Sequence, residues 1–478
     1  MKNIVIVGGG FSGVVSAINL VRLCHGPVHI FVVDPGDAPG RGVAYNSRDE
    51  SHLLNVVARN MSALADQPNH FVEWLGTRSE YRDEPPAALR EKFVPRMLYS
   101  DYLQGMALWY AGTVAPEKEM KLEFIREQAA DIIPASECAD VVLSGGKVLS
   151  AQKVILAMGN QPPAGLRLPG LDPASPKYIG DPWIDWQKLL PPPGRDLLLV
   201  GTGLTMADAF LSLEDFGWRG KIFAISRHGL LPLSHFKGVD YPDYLDESQT
   251  AAGLRKIFSL FKKHYREAVA RNLNPAILVD KLRPRTQRIW QSFSVTEKQR
   301  FIRHLRTRWN VMRHRIAPEV HERLRHSIAA GRLEIIRGKL RRCEETPDVL
   351  EIEIEDCGVR RILEVGALIN CTGPAEKYSA SGLLRNLISR GLAAPDDIDM
   401  GIRTGPNYSI VDAANRPSEN FFALGSLLKG SLWESTAVPE LRSQAFRIAE
   451  TIAAGFAGDE RKAPLISEVT EDVLEYSI

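Results

Sequence analysis

The feature that most limits what this chain can fold into lies near its start. Ile4-Val5-Ile6-Val7, an uninterrupted β-branched run, feeds directly into Gly8-Gly9-Gly10-Phe11-Ser12-Gly13. Such a run is the pattern of a parallel strand buried on both faces. Glycines at this spacing permit a tight turn (Gly8), let the backbone approach a pyrophosphate (Gly10) and let the next helix pack close to the strand (Gly13). An apolar helical stretch at 14–23 follows, and a second strand, Val28–Val33, ends in Asp34, about 20 residues past the last glycine, where such a loop needs an acid. A lone glycine triplet is weak evidence. Strand, turn, helix, strand and acid in this order predict a phosphate cradle. In it the helix start around Phe11 and Ser12 offers free N–H groups, and Asp34 accepts hydrogen bonds from a ribose diol.

The pattern recurs. A strand-like run at 196–200 leads into Gly201-Thr202-Gly203-Leu204-Thr205-Met206, with Met206 in place of the third glycine. The strand after it, at 221–225, ends in Ser226-Arg227-His228 where the first loop has its acid. A carboxylate there repels a 2′-phosphate, whereas Arg227 pairs with it, so the second cradle is expected to take NADPH rather than NADH. The plain alternative is a solvent-facing arginine with no ligand.

Two further apolar runs end in glycine, 154–159 (VILAMG) and 367–373 (ALINCTG), each after a segment of alternating strand-like pattern, 121–153 and 333–366. Each reads as a return strand where the chain passes between two nucleotide domains, with joints at Pro162-Pro163 and Pro191-Pro192-Pro193. The expected fold is α/β, with two Rossmann-like domains and a helical insertion. The expected boundaries are 1–163 for the first part of the flavin domain, 164–235 for the NADPH domain, 236–330 for its helical insertion, 331–461 for the second part of the flavin domain, and a tail at 462–478.

Composition excludes several other functions. With 59 basic and 58 acidic side chains, no global field draws the chain to nucleic acid or an anionic membrane. No apolar stretch approaches the ~20 residues needed to cross a bilayer, and Gly8 arrives too early for a signal-peptide core. A cytoplasmic location is therefore expected. The five cysteines are scattered, with no CxxC pair, and the histidines have no ligand spacing, so neither a redox dithiol nor a metal centre is expected. Residues 236–330 are rich in arginine, including Arg283, Arg285, Arg288, Arg303, Arg306, Arg308, Arg313 and Arg315. Phe301, Leu305, Trp309, Met312 and Ile316 recur at helical spacing, and Ser294 with Glu297 makes a capping box just upstream. This predicts an amphipathic helical insertion whose arginines are largely solvated rather than bound to nucleic acid. One or two facing the cleft could instead hold a substrate carboxylate.

Three more segments carry a family likeness: Gly40-Arg41-Gly42-Val43-Ala44-Tyr45; His52-Leu53-Leu54-Asn55, continuing to Met61-Ser62 and Asp66-Gln67-Pro68; and Pro95-Arg96-Met97-Leu98-Tyr99-Ser100-Asp101-Tyr102. With the glycine loops they resemble the bacterial FAD/NAD(P)-binding proteins related to flavin-dependent N-hydroxylating monooxygenases and flavin-containing monooxygenases, over nearly the whole chain. The Pro95 segment resembles a helix of the amine N-hydroxylases, with Leu98 where that pattern has an acid. The resemblance implies FAD in the first cradle, NADPH in the second, and a small-molecule substrate together with O₂. It implies contacts to the flavin nucleotide from Arg41, Gly42, Met61, Arg96, Ala129, Gly159, Gly373, Gly425, Ser435 and Thr436. It also implies hydrogen bonding by Asn55 near the oxygen adduct at flavin C4a and to bound NADP. Phe421 to Gly425 reads as a last strand, and Gly430 to Thr436 leads into a helix at 437–454 whose start, in related flavoproteins, points at the flavin pyrimidine. The implied activity is a monooxygenase that forms a C4a-(hydro)peroxyflavin and hydroxylates a small amine or another soft nucleophile. An NADPH oxidase or electron-transfer reductase, and a non-catalytic nucleotide sensor, stay open.

Overall fold

A computed structural model describes residues 1–183, 186–356, 358–377 and 381–458. The predicted tail at 462–478 and Cys357 lie outside the described residues. In chain order, β1 (Lys2–Val7), β2 (Val28–Val33) and β3 (Lys121–Ile125) begin a first sheet. β4 (Ala129–Pro134), β5 (Ala139–Leu143) and β6 (Val148–Ala151) form a separate antiparallel meander, after which β7 (Lys153–Leu156) pairs in parallel with β1. The chain leaves here to build a second sheet from β8 (Tyr178–Ile179), β9 (Leu197–Val200), β10 (Ile222–Ser226), β11 (Leu333–Glu345), β12 (Leu350–Asp356), β13 (Val359–Val365) and β14 (Ala367–Asn370). It returns with β15 (Ser409–Val411) and β16 (Pro417–Ala423), the latter beside β7.

The first sheet runs β3-β2-β1-β7-β16-β15, with only the edge strand β15 antiparallel. Ile4, Val5 and Ile6 are fully buried, as two-faced burial of a central parallel strand requires. The second sheet runs β13-β12-β11-β10-β9-β14-β8, its first three strands an antiparallel meander.

This topology corrects three expected boundaries. Residues 333–370 belong to the second sheet and not to the returning flavin domain, because β11 pairs in parallel with β10, and β14 with β9. The crossing back therefore follows Asn370, where the outgoing and returning chains lie antiparallel through a Pro163–Pro374 bridge. The Pro191 run is not a joint; it packs on Gly366 inside the second domain. The insertion is also shorter than expected. It leaves and rejoins at a Ser234–Ile316 bridge, and the helix Pro318–Ala329 packs Val320 and Leu324 into the second domain's core.

Within the insertion the predicted capping box is present, with Ser294 and Glu297 bonded reciprocally at the start of the helix Val295–His304. The apolar face continues through a second helix, Arg306–Arg313, after a break at Leu305, while Ile316 is already extended. The expectation of largely solvated arginines holds for Arg288, Arg303 and Arg308, which are exposed, and is overturned for Arg283, Arg285, Arg306, Arg313 and Arg315. Arg315 is buried on Asp280 through two bonds of 2.9 and 2.7 Å, Arg283 pairs with Glu440 at 3.1 Å, Arg313 pairs with Glu434 at 3.1 Å, and Arg306 pairs with Glu376. Removing one partner of the fully enclosed pair strands a charge. Asp280→Ala is expected to destabilise the insertion by about 3–5 kcal/mol, read as an earlier urea transition in tryptophan fluorescence, whereas Asp280→Leu with Arg315→Met should recover most of the loss.

Candidate active site

Gly8 takes φ +109, and a Cβ there would overlap the Ala157 carbonyl at the end of β7. Gly10 and Gly42 approach so closely that a Cβ on Gly10 would lie 3.3 Å from the Gly42 Cα, and one on Gly42 3.0 Å from the Gly10 Cα. The helix Phe11–Leu23 starts at Gly10 with no side-chain cap, so its first amides remain available to an anion. Gly13 lies against Gly8, and Phe11 is buried on Tyr99. Asp34 accepts from the Gly9 amide at 2.6 Å and the Gly36 amide at 2.7 Å, which fixes its carboxylate at the mouth of the turn. Arg41 faces Asp37 at 3.7 Å. Gly425 brings the last strand over the same turn, near Ser12, and its amide donates to Gln444 at 2.8 Å; Ser426 donates to the Gly159 carbonyl. Buried Ser435 and exposed Thr436 precede the uncapped helix Val438–Ala457, a second free N-terminus on this domain.

The insertion docks onto this second helix start. Trp290 donates its indole N–H to the Gly430 carbonyl at 2.8 Å, Gln287 donates to the Glu434 carbonyl at 2.6 Å, and Trp309 donates to the Glu434 carboxylate at 3.2 Å. Burial alone would raise the Glu434 carboxyl, but Arg313, His314 and Arg283 outweigh it and hold the group below its ordinary range. Trp433, at φ +65, stacks with Trp290 at 4.7 Å. This backbone strain falls where the insertion meets the segment leading to Ser435 and Thr436.

The second cradle repeats the first. Gly201 takes φ +115 and packs against the Cys371 carbonyl, as Gly8 does against Ala157. The helix Leu204–Asp215 starts uncapped at Gly203, beside which there is open space. Leu204 and Thr205 form its first turn, and Met206 is fully buried in the core, so a large side chain replaces the third glycine without closing the cradle. Thr202 Oγ1 lies 2.8 Å from Ser226 Oγ and donates to the Leu230 carbonyl, tying the turn to the end of β10. Arg227 and His228 are exposed. Burial and the nearby cations Arg227, Arg308 and Arg337 push the His228 imidazole down, which marks a concentrated positive field. The sequence singled out Arg227 alone; Arg337 arrives from β11, paired beside Ser226.

A polar seam joins the domains. Arg96, expected on the flavin nucleotide, instead holds Asp208 of the second domain by bonds of 2.8 and 3.3 Å. His52 Nε2 donates to the Asp208 carbonyl at 2.9 Å, and Ser212 donates to Asp49 at 2.6 Å. The Asn55 carbonyl accepts from His235 Nε2 at 2.8 Å, so Asn55 sits on this seam. Met61 is not at the cradle surface; its side chain is 3 % exposed, in the core under the first sheet. Ala129 likewise turns its methyl into the core shared with Val33. Gly373 follows β14 beside the second cradle, not the first. Sequence spacing could not show the seam, because its members are ordinary polar residues far apart in the chain.

Two uncapped helix starts behind buried parallel strands, each lined by close-approach glycines, fit two dinucleotides. They define a protein with two dinucleotide-binding domains. Residues 5–161 match the family model described as FAD-NAD(P)-binding. No curated protein sequence matches significantly. Among solved structures, the chain is similar to the ornithine hydroxylase of Pseudomonas aeruginosa in its reduced form, at TM-score 0.65 and 16% identity, covering 95% of this chain and 100% of that one. It is similar to the ornithine N-hydroxylase of Kutzneria sp. 744 with reduced FAD, NADP⁺ and L-ornithine, at TM-score 0.65 and 15% identity, covering 95% and 100%. It is also similar to the L-lysine 6-monooxygenase of Pseudomonas syringae, at TM-score 0.62 and 17% identity, covering 96% and 99%. The N-terminal third thus carries the FAD/NAD(P)-binding signature, and the chain as a whole has the fold of the N-hydroxylating flavin monooxygenases. Among the described residues, no helix is long and apolar enough to cross a membrane, and no group of His, Cys, Asp or Glu could hold a metal ion.

The two cradles are separable by mutation. Gly8→Ala forces a side chain into backbone at a cost of at least about 1–3 kcal/mol and is expected to yield colourless protein, whereas Gly201→Ala should keep its flavin and lose NADPH binding in titration. The seam also predicts a pH effect. Burial lowers the His235 pKa to about 4 from 6.5, so the unfolded chain takes up the proton first and stability falls as pH drops from 6.5 towards 4. His235→Gln, which keeps a donor for Asn55, should reduce that loss in urea melts taken across this window.

Proposed function

We propose that this chain is an FAD-dependent, NADPH-using monooxygenase that oxygenates a soft nucleophile, with an amine nitrogen as the leading candidate. The observation that carries this reading is the pair of matched cradles in one polypeptide, joined at the Asn55–His235 contact and covered at one end by the insertion. FAD, when bound, supplies hydride acceptance and oxygen activation. Gly8, Gly10, Gly13, Asp34 and Gly42 would hold its adenine half, and the helix start after Ser435 and Thr436 would stabilise negative charge at its pyrimidine. Gly201, Gly203 and Thr205 would take the NADPH pyrophosphate, with Ser226, Arg227 and Arg337 around the 2′-phosphate.

The chain's own contribution is alignment and exclusion of water. Arg96 and Asp208 fix how the cradles face each other. His235 stays neutral through burial, so it can donate to Asn55 without adding charge beside the reacting groups. Trp290 and Gln287 pin the 430–434 segment and keep solvent from the flavin end.

The test is an absorbance scan of purified protein followed by anaerobic titration with NADPH and NADH. Bleaching by NADPH at lower concentration than by NADH is expected, and colourless protein that cannot be reconstituted with flavin would sink the reading. Arg227→Asp should raise the KM for NADPH roughly 10–100-fold, as loss of a charge-assisted bond does, and leave NADH little changed. Near-stoichiometric H₂O₂ with every amine offered would point to an oxidase instead.

A further inference from the structure

The insertion, together with Leu230, Leu233 and Trp433, lines a partly open cavity of about 1130 Å³. Its walls are aromatic and aliphatic: Phe258 and Phe261 from the helix Leu254–Ala270, Trp290, Phe301, Trp309, and Trp433 from the flavin-end segment. Pockets for drug-sized ligands span about 300–1,000 Å³, so this one suits a bulky guest. Among the described residues, its charged lining residues are Lys262, Arg266 and Arg308, and no carboxylate lines it. Lys262 and Arg266 are exposed on one helix, next to the exposed rings of Phe258 and Tyr265 at the mouth.

These facts fix the chemistry of the occupant. A free diamine or basic amino acid would bring a cation into a space with no anion to meet it and little polar surface to solvate it, a costly burial. A long apolar body covers the aromatic walls, and a single carboxylate reaches the cationic rim through charge-assisted bonds. Trp433 belongs to both the cavity wall and the segment leading to Ser435 and Thr436, so a molecule seated here extends towards the flavin end. We propose that the cavity takes a bulky apolar molecule bearing one anionic group, and that the substrate is of this class. The second half of this statement rests on the monooxygenase reading; the first does not.

Binding is measured first, on oxidised holoprotein without NADPH, using cis-parinaric acid as fluorescent probe and dodecanoate, dodecylamine and L-ornithine as competitors. Dodecanoate should displace the probe at least tenfold more tightly than dodecylamine, with no displacement by ornithine. The surface double variant Lys262→Glu/Arg266→Glu should weaken dodecanoate at least tenfold and remove its advantage over the amine, while flavin content stays normal. Phe261→Ala should weaken both chains alike. Equal displacement by dodecylamine would overturn the proposal, as would probe uptake seen only by cosedimentation with phosphatidylglycerol vesicles. Turnover is measured second, as NADPH oxidation with 12-(methylthio)dodecanoate, which carries one anion and an uncharged soft nucleophile. Acceleration coupled to product supports the substrate assignment. Tight binding with unchanged NADPH oxidation supports the ligand site but counts against the monooxygenase reading, so the two failures are told apart.

Discussion

A helix that begins at the end of a buried parallel strand carries amides that no backbone carbonyl can reach, and this chain builds that situation twice. At Gly10 and at Gly203 the helix start has no side-chain cap, so the positive end of each helix is left to a ligand. Much else in the two domains serves to keep those amides pointed outward. Gly8 and Gly201 adopt φ values that side chains avoid, and each turns the chain against the carbonyl of a neighbouring strand end. The buried strands behind them supply the rigid floor; Asp34 stands at the mouth of the first turn on the Gly9 and Gly36 amides, and Ser226 and Arg227 stand at the end of β10 beside the second.

The insertion answers a different problem. Its helices cannot bury their apolar faces against a nucleotide domain without leaving the arginines between them, and the structure resolves this by pairing cations with acids from neighbouring elements. Arg283 meets Glu440 in the first turn of the helix Val438–Ala457, and Arg313 meets Glu434 just ahead of it. Partly buried pairs of this kind contribute little net stability, because desolvation offsets attraction. Their effect is register: they set where Trp290, Trp309 and Trp433 meet. The apolar face read from spacing alone packs Phe301, Leu305 and Trp309 into the insertion's aromatic core, and these residues with Met312 also line the cavity.

What the sequence disclosed follows from range. Glycine loops, β-branched strands and the Ser294–Glu297 cap are set by residues within about twenty positions of one another, and all are found where they were expected. Sheet membership is not local. An alternating segment at 333–366 looks the same on the edge of either sheet, and only the pairing of β11 with β10 assigns it. Arg96 shows the same limit. It sits within a motif of nucleotide-binding relatives, yet its guanidinium is committed to Asp208, whose own carboxylate is nearly buried. A loop residue near a cofactor motif and a core residue under the same loop share one sequence signature, and burial puts Met61 in the core.

The two kinds of interior divide the work. The seam between the nucleotide domains mixes polar bonds, among Arg96, Asp208, His52, Asp49, Ser212 and the His235–Asn55 contact, with Leu53 and Phe93 of the first domain packed against the core of the second. The connection is two antiparallel chains at Pro163 and Pro374, without a shared core strand. The insertion, by contrast, grips the 430–434 segment ahead of the helix Val438–Ala457 through indole and guanidinium anchors set in an aromatic cluster. A molecule seated in the cavity would touch both parts at once, because the walls include Trp433 of the segment before Ser435 and Leu230 and Leu233 of the second domain.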